Sequence, residues 1–169
     1  MIANKETTYA KDTANKKMKV VREFDAPVDQ VWRAWTEPAI LDLWWAPKPW
    51  KAITQSMDFK AGGRWRYYMQ GPDGSRHYCL NEYESIAPKK MYSGLDAFCD
   101  ENGNINTEMP RMHWKVEFAS IEDGTRVTVE ISFPTEADME KIVEMGFKEG
   151  FAMAHKNLDE YFETGTVVH

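Results

Sequence analysis

The stretch from Ile53 to Phe133 constrains the fold most, because it alternates short segments of period-2 hydrophobicity with turn signals. In its last segment Val127, Val129 and Ile131 share one face, and the residues between them are polar. Strands joined by short turns form an antiparallel meander. The pattern therefore predicts six consecutive strands, separated by turns at Ala61-Gly62-Gly63, Gly71-Pro72-Asp73-Gly74, Ala87-Pro88, Asn102-Gly103 and Glu122-Asp123-Gly124.

One long amphipathic helix is predicted after the strands, from Glu136 to about Phe162. It begins after a capping-box pattern in the segment Thr135 to Asp138. Its apolar stripe carries small residues every four positions, namely Gly146, Gly150 and Ala154. Because glycine inside a helix costs ~1 kcal/mol relative to alanine, we expect a steric reason for them. Either the helix approaches the sheet closely there, or the stripe leaves room for a ligand.

The region before the meander predicts an arm, a strand and two short helices. Residues 1–17 are polar and aperiodic, so we expect a flexible arm that is dispensable for folding. An apolar-rich strand follows, and Pro27 and Pro38 each suit the first position of a short helix. Residues 18–163 are thus predicted to form one α+β domain. It comprises a curved antiparallel sheet of about seven strands around the long helix.

Charge and cysteine content exclude several classes of function. The net charge is -6, whereas nucleic-acid binding needs a basic face, so we expect no nucleic-acid partner. The two cysteines, Cys79 and Cys99, show no metal spacing and make no disulfide framework. No apolar run approaches the ~20 residues of a membrane span, and no signal peptide is evident. These features predict a cytoplasmic protein without a membrane partner, and they leave the oligomeric state open.

Large aromatic and sulfur side chains are abundant, with seven Trp, seven Tyr, eight Phe and ten Met in 169 residues. They fit either a bulky core or a cavity for an apolar or aromatic ligand. Alternation along the strands and the spacing on the final helix select the residues that would face such a cavity. The candidate ligand-binding residues are Trp44, Trp65, Tyr67, Met69, Tyr83, Trp114, Phe118, Phe147 and Phe151.

Catalytic and metal-binding signals are weak. The histidines His77, His113, His155 and His169 show no metal spacing, and no nucleophile elbow or paired-carboxylate pattern occurs. A buried Glu82 or Asp96 would need a partner or a raised pKa, and would then be an acid–base candidate. Which residues between Tyr78 and Tyr83 face inward depends on the register of that strand. We therefore predict no metal, no cofactor and no catalytic residue.

The order and spacing of several motifs resemble a known family. The matching segments lie between about residues 19 and 162. They are Val21-Arg22-Glu23-Phe24-Asp25-Ala26-Pro27-Val28-Asp29-Gln30-Val31-Trp32, Leu43-Trp44-Trp45, Phe59-Lys60-Ala61-Gly62-Gly63-Arg64-Trp65, Gly71-Pro72-Asp73-Gly74, Tyr83-Glu84-Ser85-Ile86-Ala87-Pro88, Asp123-Gly124-Thr125-Arg126-Val127-Thr128 and Met145-Gly146-Phe147-Lys148-Glu149-Gly150-Phe151. They are similar to the SRPBCC superfamily, and within it to the branch of the activator of the heat-shock-protein-90 ATPase. The resemblance implies a helix-grip (START-like, pollen-allergen-like) fold with a cavity between the sheet and the long helix.

Function stays open among three hypotheses, because members of that superfamily include lipid binders, polyketide cyclases and co-chaperone domains. The first hypothesis is a domain that binds an apolar or aromatic small molecule. The second is a cyclase-like or hydrolase-like enzyme that uses a cavity acid or base, and the third is a co-chaperone-like interaction protein. Unpaired cavity carboxylates would favour the enzyme, and an open apolar cavity would favour binding. A collapsed cavity beside an exposed apolar patch would favour interaction.

Overall fold

The computed structural model describes residues 5–168, so residues 1–4 and His169 lie outside the description. Eight strands and four helices follow one another along these residues. Their order is β1 (Thr8–Asp12), β2 (Lys17–Phe24), α1 (Val28–Thr36), α2 (Pro38–Trp44), β3 (Lys51–Met57), β4 (Arg64–Gln70), β5 (Arg76–Ala87), β6 (Met91–Cys99), β7 (His113–Ile121), β8 (Gly124–Ser132), α3 (Glu136–Glu144) and α4 (Phe147–Thr164).

The strands form one antiparallel sheet in the order β1-β2-β8-β7-β6-β5-β4-β3. The six consecutive strands predicted between Ile53 and Phe133 are confirmed as β3 to β8, and β8 returns to pair with β2. The concave face of the sheet holds the apolar residues of the alternating pattern, among them the buried Val127, Val129 and Ile131. Helix α1 packs on β7 and β8, helix α2 packs on β3 and α4, and buried residues of α3 and α4 join the same core, which confirms the predicted α+β helix-grip architecture.

The N-terminal arm differs from the sequence expectation, because residues 8–12 form strand β1 against β2. The Tyr9 hydroxyl donates a hydrogen bond to the Lys148 carbonyl oxygen at 2.6 Å, and Lys5 forms an ion pair with Asp25 at 2.7 Å. An edge strand is stabilised largely by backbone hydrogen bonds to its neighbour. It therefore needs no apolar periodicity, which is the signal that the expectation of a flexible arm required.

Deleting residues 1–12 is expected to lower the free energy of unfolding by roughly 1–3 kcal/mol, because β1 pairing and the partly buried hydrogen bond of Tyr9 are lost. Urea denaturation measures this change. Lys11→Ala is the control, since its ion pair with Glu140 is exposed and such pairs contribute about 0–1 kcal/mol. Equal stability of the deleted and full-length proteins would show that the arm is dispensable after all.

The single helix predicted from Glu136 to about Phe162 is two helices in the structure. Gly146 lies between α3 and α4 with φ +89°, a left-handed conformation that glycine adopts without steric cost. A Cβ atom added at Gly146 would meet no atom within 4 Å among the described residues. The glycine is therefore required by the backbone turn, and not by close approach of a helix to the sheet.

Two polar contacts, one buried and one partly buried, hold α4 over the sheet and the short helices. The Asn157 side-chain amide donates to the carbonyl oxygen of Ala46 at 3.0 Å, at the end of α2. Arg22 of β2 is 2% exposed and donates to the Asp159 carboxylate. Within residues 5–168 no helix has the length and apolar character needed to cross a bilayer.

Candidate functional site

A cavity of about 270 Å³ lies between the concave face of β4 to β6 and the junction of α3 with α4. Its walls are mostly aromatic, aliphatic and sulfur-containing side chains. The lining residues are Trp45, Pro47, Tyr67, Met69, His77, Cys79, Leu80, Asp96, Ala97, Phe98, Met112, Trp114, Ile142, Met145, Gly146, Phe147, Gly150 and Phe151.

Five of the nine candidate ligand-binding residues line this cavity. Tyr67 and Met69 come from β4 and Trp114 comes from β7, whereas Phe147 and Phe151 come from the first turns of α4. The Trp114 and Phe151 ring centroids lie 5.7 Å apart, and their planes are nearly perpendicular. These edge-to-face contacts favour fixed ring positions, so the walls are preformed.

The other four candidates lie in the core beside the cavity and do not line it. Trp44 is fully buried, and its indole N–H donates to the Ala34 carbonyl oxygen at 2.9 Å. Trp65 stacks on Tyr67 at 4.1 Å and so stands behind the cavity wall. Both side chains point into the core as predicted, but Trp44 packs against Trp35 and Trp65 packs against Trp45 and Tyr67, and neither borders the open space.

Tyr83 and Phe118 also lie on the concave face without lining the cavity. Tyr83 packs against Phe59 with 4.8 Å between ring centroids, and Phe118 packs against Trp32 at 5.1 Å. Both contacts belong to the cluster under α1, at the end of the sheet away from the cavity. Alternation therefore identified the concave face correctly, but it could not specify which part of that face stays uncovered by the short helices.

Trp45 is the main cavity residue that the candidate set omits. It caps the C-terminus of α2, and its indole N–H donates to the Tyr67 hydroxyl oxygen at 3.0 Å. Its ring lies 6.0 Å from Phe151 and 6.1 Å from Trp114. The tandem Trp44-Trp45 pair was the available signal, since consecutive helical positions differ by about 100° and reach different surroundings.

The register of β5 is settled by its pairing with β4, in which Tyr67 lies opposite Cys79 and Trp65 lies opposite Asn81. Cys79, Asn81 and Tyr83 therefore share the concave face. Burial raises the pKa of the Cys79 thiol to about 12 and also raises the pKa of Tyr67. Both groups consequently stay protonated and uncharged at neutral pH.

Asp96 is the cavity's carboxyl group. One of its oxygens accepts a hydrogen bond from the Met112 backbone N–H at 2.7 Å, and the other accepts from the Trp114 indole N–H at 2.8 Å. Burial raises the pKa of Asp96 to about 6, although both hydrogen bonds favour the ionised form. The carboxyl group thus titrates close to neutral pH and faces an apolar space.

Glu82, the other carboxyl considered from sequence, lies on the opposite face of the sheet. It forms ion pairs with Arg111 and, at 2.8 Å, with Arg64. Hydrogen bonds from Arg111 and then from Arg64 lower the pKa of Glu82. A carboxylate that is already paired with two guanidinium groups outside the cavity is a poor acid or base.

The described histidines do not assemble into a site. His77 is exposed at the rim of the cavity and contacts Trp50, and His113 pairs with Glu84 at 3.1 Å. His155 is buried outside the cavity, where burial lowers its pKa to about 3. Within residues 5–168, no group of three or more His, Cys, Asp or Glu side chains is placed to hold a metal ion.

Comparison with known proteins identifies the family. Residues 25–163 match the model of the family described as Activator of Hsp90 ATPase homolog 1-like protein. The chain belongs to this family. The sequence resemblance to that branch of the SRPBCC superfamily is therefore confirmed. A search of the curated proteins finds no match to this chain.

Solved structures agree with this family. Protein Ms6760 from Mycobacterium smegmatis is 29% identical with a TM-score of 0.86, and the alignment covers 96% of this chain and 99% of that one. A protein from Arthrobacter aurescens is 34% identical with a TM-score of 0.84, over 90% and 88% of the two chains. A protein from Staphylococcus epidermidis is 26% identical with a TM-score of 0.83, over 96% and 97%.

Proposed function

We propose that this protein binds an apolar or aromatic small molecule in the cavity between the sheet and the α3–α4 junction. The observation that carries the proposal is the open cavity of about 270 Å³ with preformed aromatic walls. Small-molecule sites are concave, mostly apolar and lined by aromatic side chains with few polar groups. A volume near the lower end of their range suits a ligand of up to three rings.

Two further features support this proposal over the interaction hypothesis. The cavity is not collapsed, and the exposed large hydrophobic side chains of the described residues are Met145, Met153 and Val168. Met145 itself lies at the cavity, which connects the exposed apolar surface with the ligand space. We also infer a cytoplasmic location, because Cys79 and Cys99 are free thiols, as is usual in a reducing compartment.

The neutral fluorescent dye N-phenyl-1-naphthylamine is expected to bind the folded protein with a Kd of about 1 μM, roughly 8 kcal/mol. Fluorescence titration measures this affinity. Trp114→Ala and Phe147→Ala each remove a wall and are expected to weaken binding at least about tenfold. Arg66→Ala is the matched control, because Arg66 lies on the other face of β4 and contacts the Glu101 carbonyl oxygen. Absence of binding, or a larger effect of Arg66, would refute the proposal.

Asp96 supports an enzyme as the second candidate function. A cavity carboxyl group with a pKa of about 6 is suited to general acid–base chemistry near neutral pH. An ester with an aromatic body, 1-naphthyl acetate, tests this candidate. Release of 1-naphthol that exceeds the rate of Asp96→Asn at least tenfold would favour the enzyme, whereas equal rates would remove this candidate.

A further inference from the structure

The Asp96 carboxylate keeps hydrogen-bonding capacity toward the cavity. Each carboxylate oxygen offers about two acceptor positions, and one position on each is used by the Met112 N–H or the Trp114 indole N–H. The two donors hold the group in a fixed orientation on the concave face. A donor that enters the cavity therefore meets a preoriented acceptor.

No cationic side chain within residues 5–168 forms an ion pair with Asp96. The nearby Arg111 is engaged elsewhere, because its Nε donates to the Asp96 backbone carbonyl at 2.9 Å and its Nη2 pairs with Glu82. Tyr67 and Cys79, which face the cavity beside Asp96, are neutral. Arg111 favours the ionised form of Asp96 through charge attraction, but its ion pair is with Glu82. None of the side chains that line the cavity forms an ion pair with Asp96, and a buried charge without a paired counter-ion is costly.

The aromatic walls beside Asp96 add to the attraction for a positive charge. Trp114 contacts Asp96 directly, and Trp45, Tyr67 and Phe151 continue the wall around the same space. The faces of Trp, Tyr and Phe rings attract cations within about 6 Å, most strongly where water is excluded. A single carboxylate among aromatic rings is the arrangement that recognises an organic ammonium group.

We infer that the cavity selects ligands with a protonated amino group on an aromatic body, and that the Asp96 carboxylate is the anchor for that amino group. This inference rests on the proposed function, since it specifies the ligand class of the same cavity. The amine would supply the missing counter-ion and occupy the free acceptor positions of Asp96. The aromatic part of the ligand would lie against Trp45, Phe147 and Phe151.

Isothermal titration calorimetry with three probes of one shape tests the inference. The probes are 2-(1-naphthyl)ethylamine, its neutral counterpart 2-(1-naphthyl)ethanol and the anion 1-naphthylacetate. The amine is expected to bind at least tenfold more tightly than the alcohol, and the anion most weakly. Asp96→Asn is expected to remove the preference of the amine over the alcohol, whereas Glu84→Gln, an exposed carboxyl change on β5, should preserve it.

The pH dependence of amine binding to the unmodified protein is a second test, and it needs no Asp96 variant. Amine affinity is expected to rise between pH 5 and pH 7.5 as Asp96 ionises around its pKa of about 6, because the amine stays protonated up to about pH 10. Burial raises the pKa values of Tyr67 and Cys79, so both stay neutral over this range, and the cavity residues of α3 and α4 are apolar. His77→Gln controls for the rim histidine, and alcohol affinity should not change.

The outcomes separate this inference from the proposed function. Equal affinity for the amine and the alcohol, with dye binding intact, would overturn the amine inference alone. An amine preference that survives in Asp96→Asn would overturn the assignment of the anchor. Failure of every probe and of the neutral dye would overturn the proposed function itself.

Discussion

Replacing Asp159 with asparagine is expected to lower the free energy of unfolding by about 3–5 kcal/mol at neutral pH. Arg22, its partner in β2, is 2% exposed, and its other hydrogen bond goes to the Glu23 carbonyl oxygen. Without the carboxylate, the guanidinium charge stays buried and uncompensated. Because this pair joins β2 to α4, the change also loosens the helix that covers the cavity. Urea denaturation measures the loss.

Two controls isolate the buried charge as the cause. Glu130→Gln removes an exposed ion pair with Lys17, and it is expected to cost less than about 1 kcal/mol. The double variant Arg22→Met with Asp159→Leu removes both charges, and it should recover most of the loss from Asp159→Asn. If Asp159→Asn costs no more than Glu130→Gln, the pair does not stabilise α4 over the sheet.

The sequence predicts the fold well where apolar residues alternate. It predicts the fold less well where backbone hydrogen bonds or backbone angles alone determine the structure. Strands β3 to β8 bury one face, so period 2 and the turn residues identify them. Strand β1 is polar and pairs at the sheet edge through its backbone, which leaves no periodic trace. At Gly146 the apolar spacing of the neighbouring residues predicts a continuous helix, whereas the φ of +89° interrupts it.

The sequence predicts which face of the sheet holds the site, but not which part of that face stays open. Tyr67 and Trp65 have the same orientation on β4, yet Tyr67 lines the cavity and Trp65 stacks behind it. Which of them faces open space depends on where α2 ends and where the α3–α4 junction lies. The burial of Asp96 could not be predicted from the sequence, because β6 does not alternate regularly between apolar and polar residues. Its two donors, Met112 and Trp114, become visible only in the structure.

Gly150→Leu is expected to abolish dye binding at little cost in stability. Gly150 lines the cavity from the first turn of α4, and a Cβ atom there would meet Pro47 at 3.6 Å, an ordinary contact. The glycine therefore borders open space, and close packing against the sheet does not require it. A leucine side chain would occupy the space of the ligand. We expect at least a 100-fold loss of affinity for N-phenyl-1-naphthylamine, about 2.8 kcal/mol.

Gly150→Ala is the matched control, because it supplies the Cβ atom while leaving most of the cavity free. Alanine is expected to stabilise the helix by up to ~1 kcal/mol relative to glycine and to preserve dye binding within a few fold. Leucine gains a similar helix preference, so its free energy of unfolding should stay within about 1 kcal/mol of the parent. A loss of roughly 1–3 kcal/mol in Gly150→Leu would indicate overpacking, and the space beside Gly150 would then be too small to hold a ligand.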